Sequence, residues 1–454
     1  MKHIFQYAVI VLSLTVAASC DGNGKTKQES GSLLLQDVTL IDGNGGQPRE
    51  HTDILVQGDS IAAIGDKLDT TGVRTVNLSG KTVMPTLISD HVHIGNVKGT
   101  TQKDENYTRD NILHQLKQYQ DYGVENILVM GSDRKMLFES GLRDSSENGL
   151  LQGTRLHSAA FGFGVPQGAP PEKMAMDMVF RPDNRNEVKA EMDTLASYKP
   201  TVVKLWVDNF NGMFPKMKPE IYKEVIDQAH AHGFRAAAHV YYLSDARQLV
   251  ADGIDILGHS IRDSVIDDAL IQKIKEQHIA YIPTLSLDEF AYIYARKPEW
   301  INDPFFKASL QPGVYEMITS EKYQNDLKNS PVYAKNVKAF ETALQNLKKL
   351  YDAGVLVALG TDSGAMPLRA QGFSEHLELE LMVQAGLTPL QAITVATKNA
   401  AQVLKINNHF GTIEKGKIAD FLIVDGNPAK DIKQTRNIFA VYKAGKEVSK
   451  GPLK

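Results

Sequence analysis

The sequence predicts an α/β protein in which a (β/α)8 barrel carries a small β-sandwich built from both ends of the chain. In residues 83–407, apolar strand-like runs alternate with amphipathic helical runs, which is the pattern of a parallel sheet wrapped by helices. In residues 32–82 and 408–454, short strands are separated by turns rich in Gly and Asp, so the two ends are predicted to form one composite β-sandwich. The composition, with 42% hydrophobic residues and a net charge of −4, is that of a globular protein without a nucleic-acid partner.

The first 20 residues predict a secretory signal peptide. An apolar run at 7–18 follows Lys2 and ends at Cys20, the single cysteine of the chain. A lone Cys after small residues resembles the lipobox of bacterial lipoproteins, so lipidation of Cys20 is expected, with a plain signal peptide as the alternative. Residues 21–31 hold nothing apolar to bury and predict a flexible tether. The protein is therefore expected to be exported and anchored in the bacterial cell envelope by lipid alone, facing the periplasm or the surface.

Eight strand-like runs in the middle region predict the barrel. They cover residues 83–93, 124–130, 154–160, 201–207, 234–240, 254–259, 279–284 and 355–361, and helical patterns at 186–198, 219–232 and 335–352 lie between them. The functional groups of such a barrel lie where its strands end, so polar residues at those ends are candidate site residues.

The strand ends supply six metal-competent side chains. These are His91 and His93 on the first strand, Lys204 on the fourth, His239 on the fifth, His259 on the sixth and Asp362 after the eighth. Because side chains alternate along a strand, His91 and His93 would face the same way and could hold one ion. Chance gives roughly 0.4 His-x-His in this composition, and His230 and His232 share the spacing within a helical pattern, where the two rings do not face each other. A lone His is more often a core residue, but six such groups at one end of a barrel favour a metal site.

Lys204 decides how many ions that site would hold. A protonated lysine is repelled by a metal ion, whereas reaction with carbon dioxide gives a carbamate, an anionic group able to bridge two metals. The alternative is an ammonium group that reaches solvent or pairs with Asp208. Without Lys204, the site is expected to hold a single ion.

These motifs together resemble the amidohydrolase superfamily, close to its imidazolonepropionase-like and metal-dependent dipeptidase (prolidase-like) branch. The resemblance runs from residue 32 onward and is carried by residues 84–93, 203–205, 238–240, 257–260, 283–285, 359–363, 387–393 and 411–420. It implies a TIM barrel with two divalent ions, usually zinc. By the same resemblance, the buried ion is held by His91, His93 and Asp362, the more exposed ion by His239 and His259, and carboxylated Lys204 bridges the two.

The site implies a hydrolase in which a metal-bridging hydroxide attacks an amide bond of the peptide or N-acyl amino acid type. Asp362 is expected to accept the proton and pass it to the leaving amine. Tyr241 either donates to the oxyanion or packs at the barrel rim. The alternatives are a mononuclear deaminase, cyclic-imide or lactone hydrolase of the same superfamily, and a catalytically retired binding lipoprotein. No His-x-x-Glu pattern follows the fifth strand, which counts against an adenosine-type deaminase.

The substrate side of the site is less defined by sequence. Residues 161–166 stand where many dipeptidase-like relatives have a Thr-Gly-Gly-His turn that helps to seat the substrate, so no group for a substrate carboxylate is predicted there. Arg181 and Arg185 are candidates for an anionic small molecule or dipeptide, or are solvated. Residues 285–334 form a long aromatic insertion that predicts a lid, or a helical hairpin packed on its own barrel or on a partner in a homo-oligomer. His157 is expected to pack.

Overall fold

The computed structural model describes residues 31–69, 71–171, 174–175 and 178–454. The predicted signal peptide, with its lipidation site Cys20, and nearly all of the tether lie outside the described residues. Across the described ranges, no helix combines the length and apolar character needed to cross a membrane.

Seventeen strands are distributed along the described chain. They are β1 Ser32–Leu40, β2 Arg49–Gln57, β3 Ser60–Gly65, β4 Arg74–Asn77, β5 Lys81–Pro85, β6 Leu87–Val92, β7 Val97–Lys98, β8 Thr101–Gln102, β9 Val124–Val129, β10 Arg155–Ser158, β11 Val203–Trp206, β12 Ala236–His239, β13 Ile256–Gly258, β14 Ala280–Ile282, β15 Phe421–Asp425, β16 Ile438–Lys443 and β17 Lys446–Ser449.

The helices lie between the two chain ends. They are α1 Arg109–Asp121, α2 Lys135–Glu139, α3 Leu142–Glu147, α4 Arg185–Ser197, α5 Pro219–Ala231, α6 Leu243–Ala251, α7 Asp268–Glu276, α8 Leu285–Phe290, α9 Pro304–Ala308, α10 Val314–Thr319, α11 Glu321–Lys328, α12 Tyr333–Asp352, α13 Phe373–Gln384, α14 Pro389–Thr394 and α15 Ala400–Leu404. The three helices predicted from their spacing are α4, α5 and α12, each within two residues of its predicted bounds.

Strands from both chain ends form one mixed sheet. Its order is β17-β16-β15-β5-β1-β2-β3, and β4 also pairs with β1. Strand β5 joins the two ends because it runs parallel to β1 and antiparallel to β15. Successive side chains of a strand point to opposite faces of the sheet. Val83 therefore packs in a small hydrophobic core that belongs to this sheet, whereas Met84 packs in the main core of the protein. The two ends therefore build one small β domain that packs on the central α/β region.

The first predicted barrel strand is divided in the structure. Strand β5 ends at Pro85 and belongs to the mixed sheet, whereas β6 begins at Leu87 and pairs with β9. Proline has no backbone N–H to donate to a ladder, which favours a strand end at this position. The two halves of the predicted strand thus lie in different sheets, and His91 belongs to the second one.

The central region contains two parallel sheets, with orders β10-β9-β6 and β11-β12-β13-β14. A bridge between Phe163 and Leu205 links them at one side. At the other side, the chain at 356–362 lies between β14 and β6, since Tyr281 N donates to Leu356 O at 2.9 Å and Asp90 N donates to Leu359 O at 2.8 Å.

The eighth predicted strand is extended chain with single bridges and not a regular strand. The backbone N–H groups of Thr361 and Asp362 both donate to His91 O, at 3.0 and 2.8 Å, and Asp362 has a φ of 57°. Two donors on one acceptor interrupt the ladder, and the left-handed backbone turns the chain away from the strand direction. This interruption places the Asp362 side chain directly beside His91.

The aromatic side chains of the insertion after β14 pack on one another and on α13. The rings of Phe290 and Tyr294 stack at 5.7 Å, and Trp300 contacts Phe306 at 4.7 Å and Phe373 at 5.1 Å between ring centroids. The cluster buries large apolar surfaces, which stabilises the insertion as a packed helical segment. These aromatic rings therefore pack within the protein, and the role of the insertion as a lid or as a packed hairpin stays a prediction.

Candidate metal centre

The six predicted ligands converge at the carboxyl ends of the parallel strands. They are His91 in β6, His93 just beyond it, Lys204 in β11, His239 at the end of β12, His259 just beyond β13, and Asp362 after the extended segment. None of the six is more than 7% exposed. The strand-end criterion used on the sequence therefore selected side chains that the fold brings together.

His91, His93 and Asp362 form the tightest part of this cluster. His93 Nε2 lies 2.9 Å and His91 Nε2 lies 3.5 Å from Asp362 Oδ1. Ligand atoms of the three residues all lie within 4.8 Å of one another, the one such group of three or more His, Cys, Asp and Glu side chains in the described part of the chain. The arrangement could hold a metal ion.

His239, His259 and Lys204 lie immediately beside that group. The ring of His259 is 4.3 Å from the ring of His91 and 4.3 Å from the ring of His239. Lys204 Nζ lies 3.4 Å from His91 Nε2 and is fully buried. No carboxylate of the described residues forms an ion pair with this lysine, so neither solvent nor Asp208 is its partner. Burial lowers the pKa of Lys204 to about 7.

In three of the imidazole rings, one nitrogen is held by a hydrogen bond to another side chain. His93 Nδ1 lies 2.6 Å from Ser132 Oγ, His259 Nδ1 lies 2.9 Å from Thr284 Oγ1, and His239 Nε2 donates to Asp208 Oδ2 at 3.1 Å. In each ring the other nitrogen is left for a ligand, which is how protein groups orient metal-binding imidazoles. Ser132 and Thr284 lie just beyond β9 and β14, and sequence reasoning did not identify either of them as a partner of these imidazoles.

The protonation states suit a cation. Burial lowers the pKa of His91, His239 and His259, so these rings are neutral, which is the form that binds a metal. Burial opposes the charge of Asp362, but the neighbouring Arg369 and His93 hold its pKa well below its usual range. A buried set of neutral imidazoles with one carboxylate therefore fits a divalent ion such as zinc.

Glu375 supports the turn that carries Asp362. Its Oε1 accepts hydrogen bonds from Thr361 Oγ1 at 2.6 Å, Ser363 Oγ at 2.9 Å and Ser89 Oγ at 3.1 Å. The carboxyl is fully buried, and burial raises its pKa. This network ties α13 to the residues on both sides of Asp362 and thereby fixes the direction of its side chain.

A cavity of about 160 Å³ opens over the cluster. Four of the predicted ligands line it, together with apolar and polar side chains. The lining residues are His93, Pro170, Met174, Trp206, Asp208, Phe210, Asn211, His239, Tyr241, His259, Arg262, Leu287, Asp362, Ala365 and Arg369. Leu287 is the member of the long aromatic insertion in this lining. A small molecule that enters the cavity would thus meet the predicted ligands directly.

Tyr241, the predicted oxyanion donor, lines this cavity. The Arg262 guanidinium lies 4.7 Å and Lys335 Nζ lies 5.5 Å from the centroid of its ring. Its hydroxyl has no hydrogen-bond partner among the described residues. The position is compatible with the predicted role, and the ring also packs between two cations at the rim.

The other sequence candidates lie away from the cavity. Arg181 donates to the carbonyl oxygens of Val165 and Pro170, and the Arg185 side chain is 61% exposed. His157 is buried with its Nε2 3.1 Å from Asn126 Oδ1, as expected for packing. His230 and His232 are exposed and contact two different aspartates, which confirms that this second His-x-His is part of a helix surface.

Two cavity residues were missed by sequence reasoning. Arg262 lies three residues after His259, and Arg369 lies seven residues after Asp362. Both follow strand ends that carry a predicted ligand, so the same criterion could have found Arg262. Arg369 returns to the site only because the chain turns back after Asp362, with Gly364 N donating to Arg369 O at 3.0 Å.

Comparison with known proteins identifies the family of this chain. The family model described as "Amidohydrolase family" matches residues 82–448, and the chain therefore belongs to this family. Among relatives, imidazolonepropionase of Shouchella clausii is 22% identical over 429 residues, which cover 88% of this chain and 86% of that protein. The predicted imidazolonepropionase-like branch of the superfamily is confirmed.

Further similarities concern part of the sequence or the fold. Ochratoxinase of Aspergillus niger is 28% identical over 247 residues, so the match spans 53% of this chain but only 43% of that protein. The structure of a Xaa-Pro dipeptidase with bound methionine superposes with a TM-score of 0.73 at 23% identity, covering 92% of this chain and 99% of the other. The A. niger ochratoxinase structure gives a TM-score of 0.70 at 20% identity, covering 94% and 97%. These structural likenesses show a shared fold and imply a TIM barrel with a small β domain.

Proposed function

We propose that this protein is a metal-dependent amidohydrolase that cleaves an amide bond of the peptide or N-acyl amino acid type. The observation that carries the proposal is the convergence of four imidazoles, a lysine and an aspartate, all buried, at the floor of a cavity. Relatives named as an ochratoxinase and a Xaa-Pro dipeptidase support a hydrolase acting at carbon–nitrogen bonds.

The proposal includes a closed barrel. We infer that β6, β9 to β14 and the extended segment at 356–362 form one (β/α)8 barrel. Hydrogen bonds at both junctions between the two parallel sheets support this closure. The carboxyl ends of the strands, where barrel enzymes carry their chemistry, are then the ends that bear the predicted ligands.

The proposed ligand sets follow the geometry. His91, His93 and Asp362 would hold one ion, and His239 and His259 would hold a second. Lys204 lies beside His91, and no carboxylate of the described residues forms an ion pair with it, so its carboxylation by carbon dioxide would supply the bridging anion. When bound, two divalent ions, with zinc proposed, lower the pKa of a water molecule and polarise a carbonyl group.

Two protein side chains would transfer the proton and stabilise the negative charge that develops on the carbonyl oxygen. Asp362 turns Oδ1 to the imidazoles and Oδ2 toward Arg369 at the cavity. It would accept the proton of the attacking water and deliver it to the leaving amine nitrogen. Tyr241, whose hydroxyl has no hydrogen-bond partner in the part of the chain that the structure describes, would donate to the oxyanion of the tetrahedral intermediate.

A substrate panel tests the proposal. Zinc-loaded protein is assayed against dipeptides, N-acyl amino acids, cyclic imides and lactones, beside Asp362→Asn and the surface control Asp326→Asn. We expect cleavage of amides by wild type and by the control, with turnover of Asp362→Asn reduced at least about 1000-fold while its fold is kept. Appreciable residual activity of Asp362→Asn would contradict its role as the proton shuttle, and cleavage of no amide would contradict the function.

A mononuclear cyclic-amide hydrolase is the second candidate. The imidazolonepropionase match, which spans most of both chains, favours it. About one ion per chain with activity on cyclic imides would select this candidate, and about two ions with activity on linear amides would select the first. A protein that binds no metal would be a retired binding scaffold.

Export and lipid anchoring are part of the proposal and are carried by the sequence of residues 1–31. Fractionation of cells that express the full chain, with Cys20→Ser as the variant, tests this part. We expect wild-type protein in the membrane fraction and the variant in the soluble fraction of the envelope. Equal partition of the two proteins would contradict lipidation.

A further inference from the structure

Arg369 lies at the cavity with unused hydrogen-bond donors. Its guanidinium contacts Asp362 Oδ2, which is the one partner of this side chain among the described residues. The Nε–H group is buried without a partner, and the side chain is 17% exposed. A guanidinium carries five N–H donors, and a buried donor without an acceptor is unfavourable. A ligand oxygen in the cavity would relieve this deficit.

Arg262 also lines this cavity, and its side chain is held more rigidly than that of Arg369. Its Nε lies 2.9 Å from Asp288 Oδ1, and its Nη1 donates to Ser260 O at 2.8 Å and to Val240 O at 3.3 Å. The guanidinium also stacks on the ring of Tyr241. Its Nη2 has no partner among the described residues. The side chain is thus preorganised, with one pair of donors unused.

The carboxylate of Asp208, which also lines the cavity, is already satisfied by protein donors. Asp208 Oδ1 accepts from the backbone N–H groups of Asn209 at 2.7 Å and Phe210 at 3.0 Å, and its Oδ2 accepts from His239. Both of its oxygens are therefore occupied, so Asp208 has no free acceptor for a ligand in the cavity.

The turn after β10 provides no side chain that could bind an anion. Gly162 packs so closely that an added Cβ would lie 2.1 Å from Trp206 Cζ3, and Phe163 is fully buried. Residues 161–164 thus contribute aromatic packing and no polar side chain. A polar group of a substrate would instead be bound by polar side chains of the cavity lining, among them Arg262 and Arg369.

We propose that Arg369 and Arg262 bind a carboxylate of the substrate next to the scissile amide. The substrates are then N-acyl amino acids or dipeptides with a free terminal carboxylate, whose acyl part lies toward the apolar side formed by Trp206 and Phe210. This inference rests on the proposed amidohydrolase function and names its substrate class. Charge-assisted hydrogen bonds to a planar carboxylate are the interactions for which guanidinium groups are best suited.

A matched pair of substrates tests the inference. The substrate that the panel shows to be cleaved best is assayed as the free acid and as its C-terminal primary amide, with wild type, Arg369→Gln, Arg262→Lys and the exposed control Arg185→Gln. We expect wild-type kcat/KM to be at least about 100-fold higher for the acid. In each cavity variant, the ratio of kcat/KM for the acid to kcat/KM for the amide should fall about 10- to 100-fold, mainly through a higher KM for the acid. Metal content of Arg369→Gln should equal that of wild type.

The possible outcomes separate this inference from the function on which it rests. Equal kcat/KM for acid and amide in wild type would overturn carboxylate recognition while leaving the hydrolase intact. A preference for the acid that survives in both Arg369→Gln and Arg262→Lys would overturn the role of the arginines. Cleavage of no member of the panel would overturn the proposed function itself. Arg262→Lys keeps a cation beside Asp288, so it remains informative if Arg369→Gln folds poorly.

Discussion

Gly360 holds the extended segment before Asp362 against β6, and Gly360→Ala tests this contact. A Cβ on Gly360 would lie 2.7 Å from His91 Cβ, 2.4 Å from Ile282 Cγ2 and 3.1 Å from His91 N. Ordinary carbon contacts are about 3.5 Å or longer, so His91 would have to move by about 0.8 Å. The backbone of Gly360 is not in the left-handed region, and the effect of the added methyl group is therefore steric.

We expect Gly360→Ala to lower the free energy of unfolding by about 1 to 3 kcal/mol, as overpacking does. A displacement of this size at a catalytic group reduces kcat/KM by about 100-fold, and it should also weaken retention of the buried ion. Urea unfolding, metal content after dialysis against a chelator, and hydrolysis of the best substrate measure these effects. Gly46→Ala is the control, because no heavy atom lies within 4 Å of its added Cβ. If Gly360→Ala behaved like Gly46→Ala in all three assays, the close packing of this segment on His91 would be refuted.

Three further substitutions probe other parts of the structure. Asp420→Asn breaks a buried pair with Arg155, whose Nη1 lies 2.5 Å from the carboxylate, and should cost about 3 to 5 kcal/mol in urea unfolding. His376 is buried, which lowers its pKa to about 3, so the unfolded chain takes up a proton near pH 6.5 before the folded protein does. Wild-type stability should therefore fall as the pH drops from 6.5 toward 3, by up to about 1.4 kcal/mol per pH unit, and His376→Gln should lack this component. Asp208→Asn removes the charged group that accepts a hydrogen bond from His239. The affinity for one of the two ions, measured by chelator competition, should fall about 10- to 100-fold.

Each of these predictions has a contradicting result. A loss below about 1 kcal/mol in Asp420→Asn would show that the junction between the mixed sheet and the central region does not depend on this ion pair. Parallel pH profiles of wild type and His376→Gln would show that this imidazole takes up its proton in the folded state as well. Unchanged metal affinity in Asp208→Asn would show that His239 is oriented by other contacts.

The ligand positions could be predicted from the sequence because strand geometry is local. Alternation along a strand places the two imidazoles of His91 and His93 on one side, and parallel strands end at one edge. Residues 355–361 do not form the regular strand that was predicted, but the site is still formed, because the irregular backbone there turns Asp362 toward His91. The buried half of the candidate site was thus accessible from pattern alone.

The groups that orient these ligands could not be predicted in the same way. Thr284 meets His259 and Asp208 meets His239 only through neighbouring strands, whose register the sequence does not specify. Arg369 reaches the cavity through a turn whose path depends on tertiary packing. The packing of the aromatic insertion depended likewise on α13, which supplies Phe373 as its packing surface. These features arise from contacts between segments far apart in the chain.

Metal analysis of purified protein tests the central proposal most directly. Elemental analysis is made on wild type, Lys204→Met and the exposed control Lys322→Met after loading with zinc and gel filtration. The proposal predicts about two ions per chain in wild type and control, and about one in Lys204→Met, because the bridging group is lost. Absence of bound zinc in wild type, or equal zinc content in wild type and Lys204→Met, would contradict a two-metal centre built on Lys204.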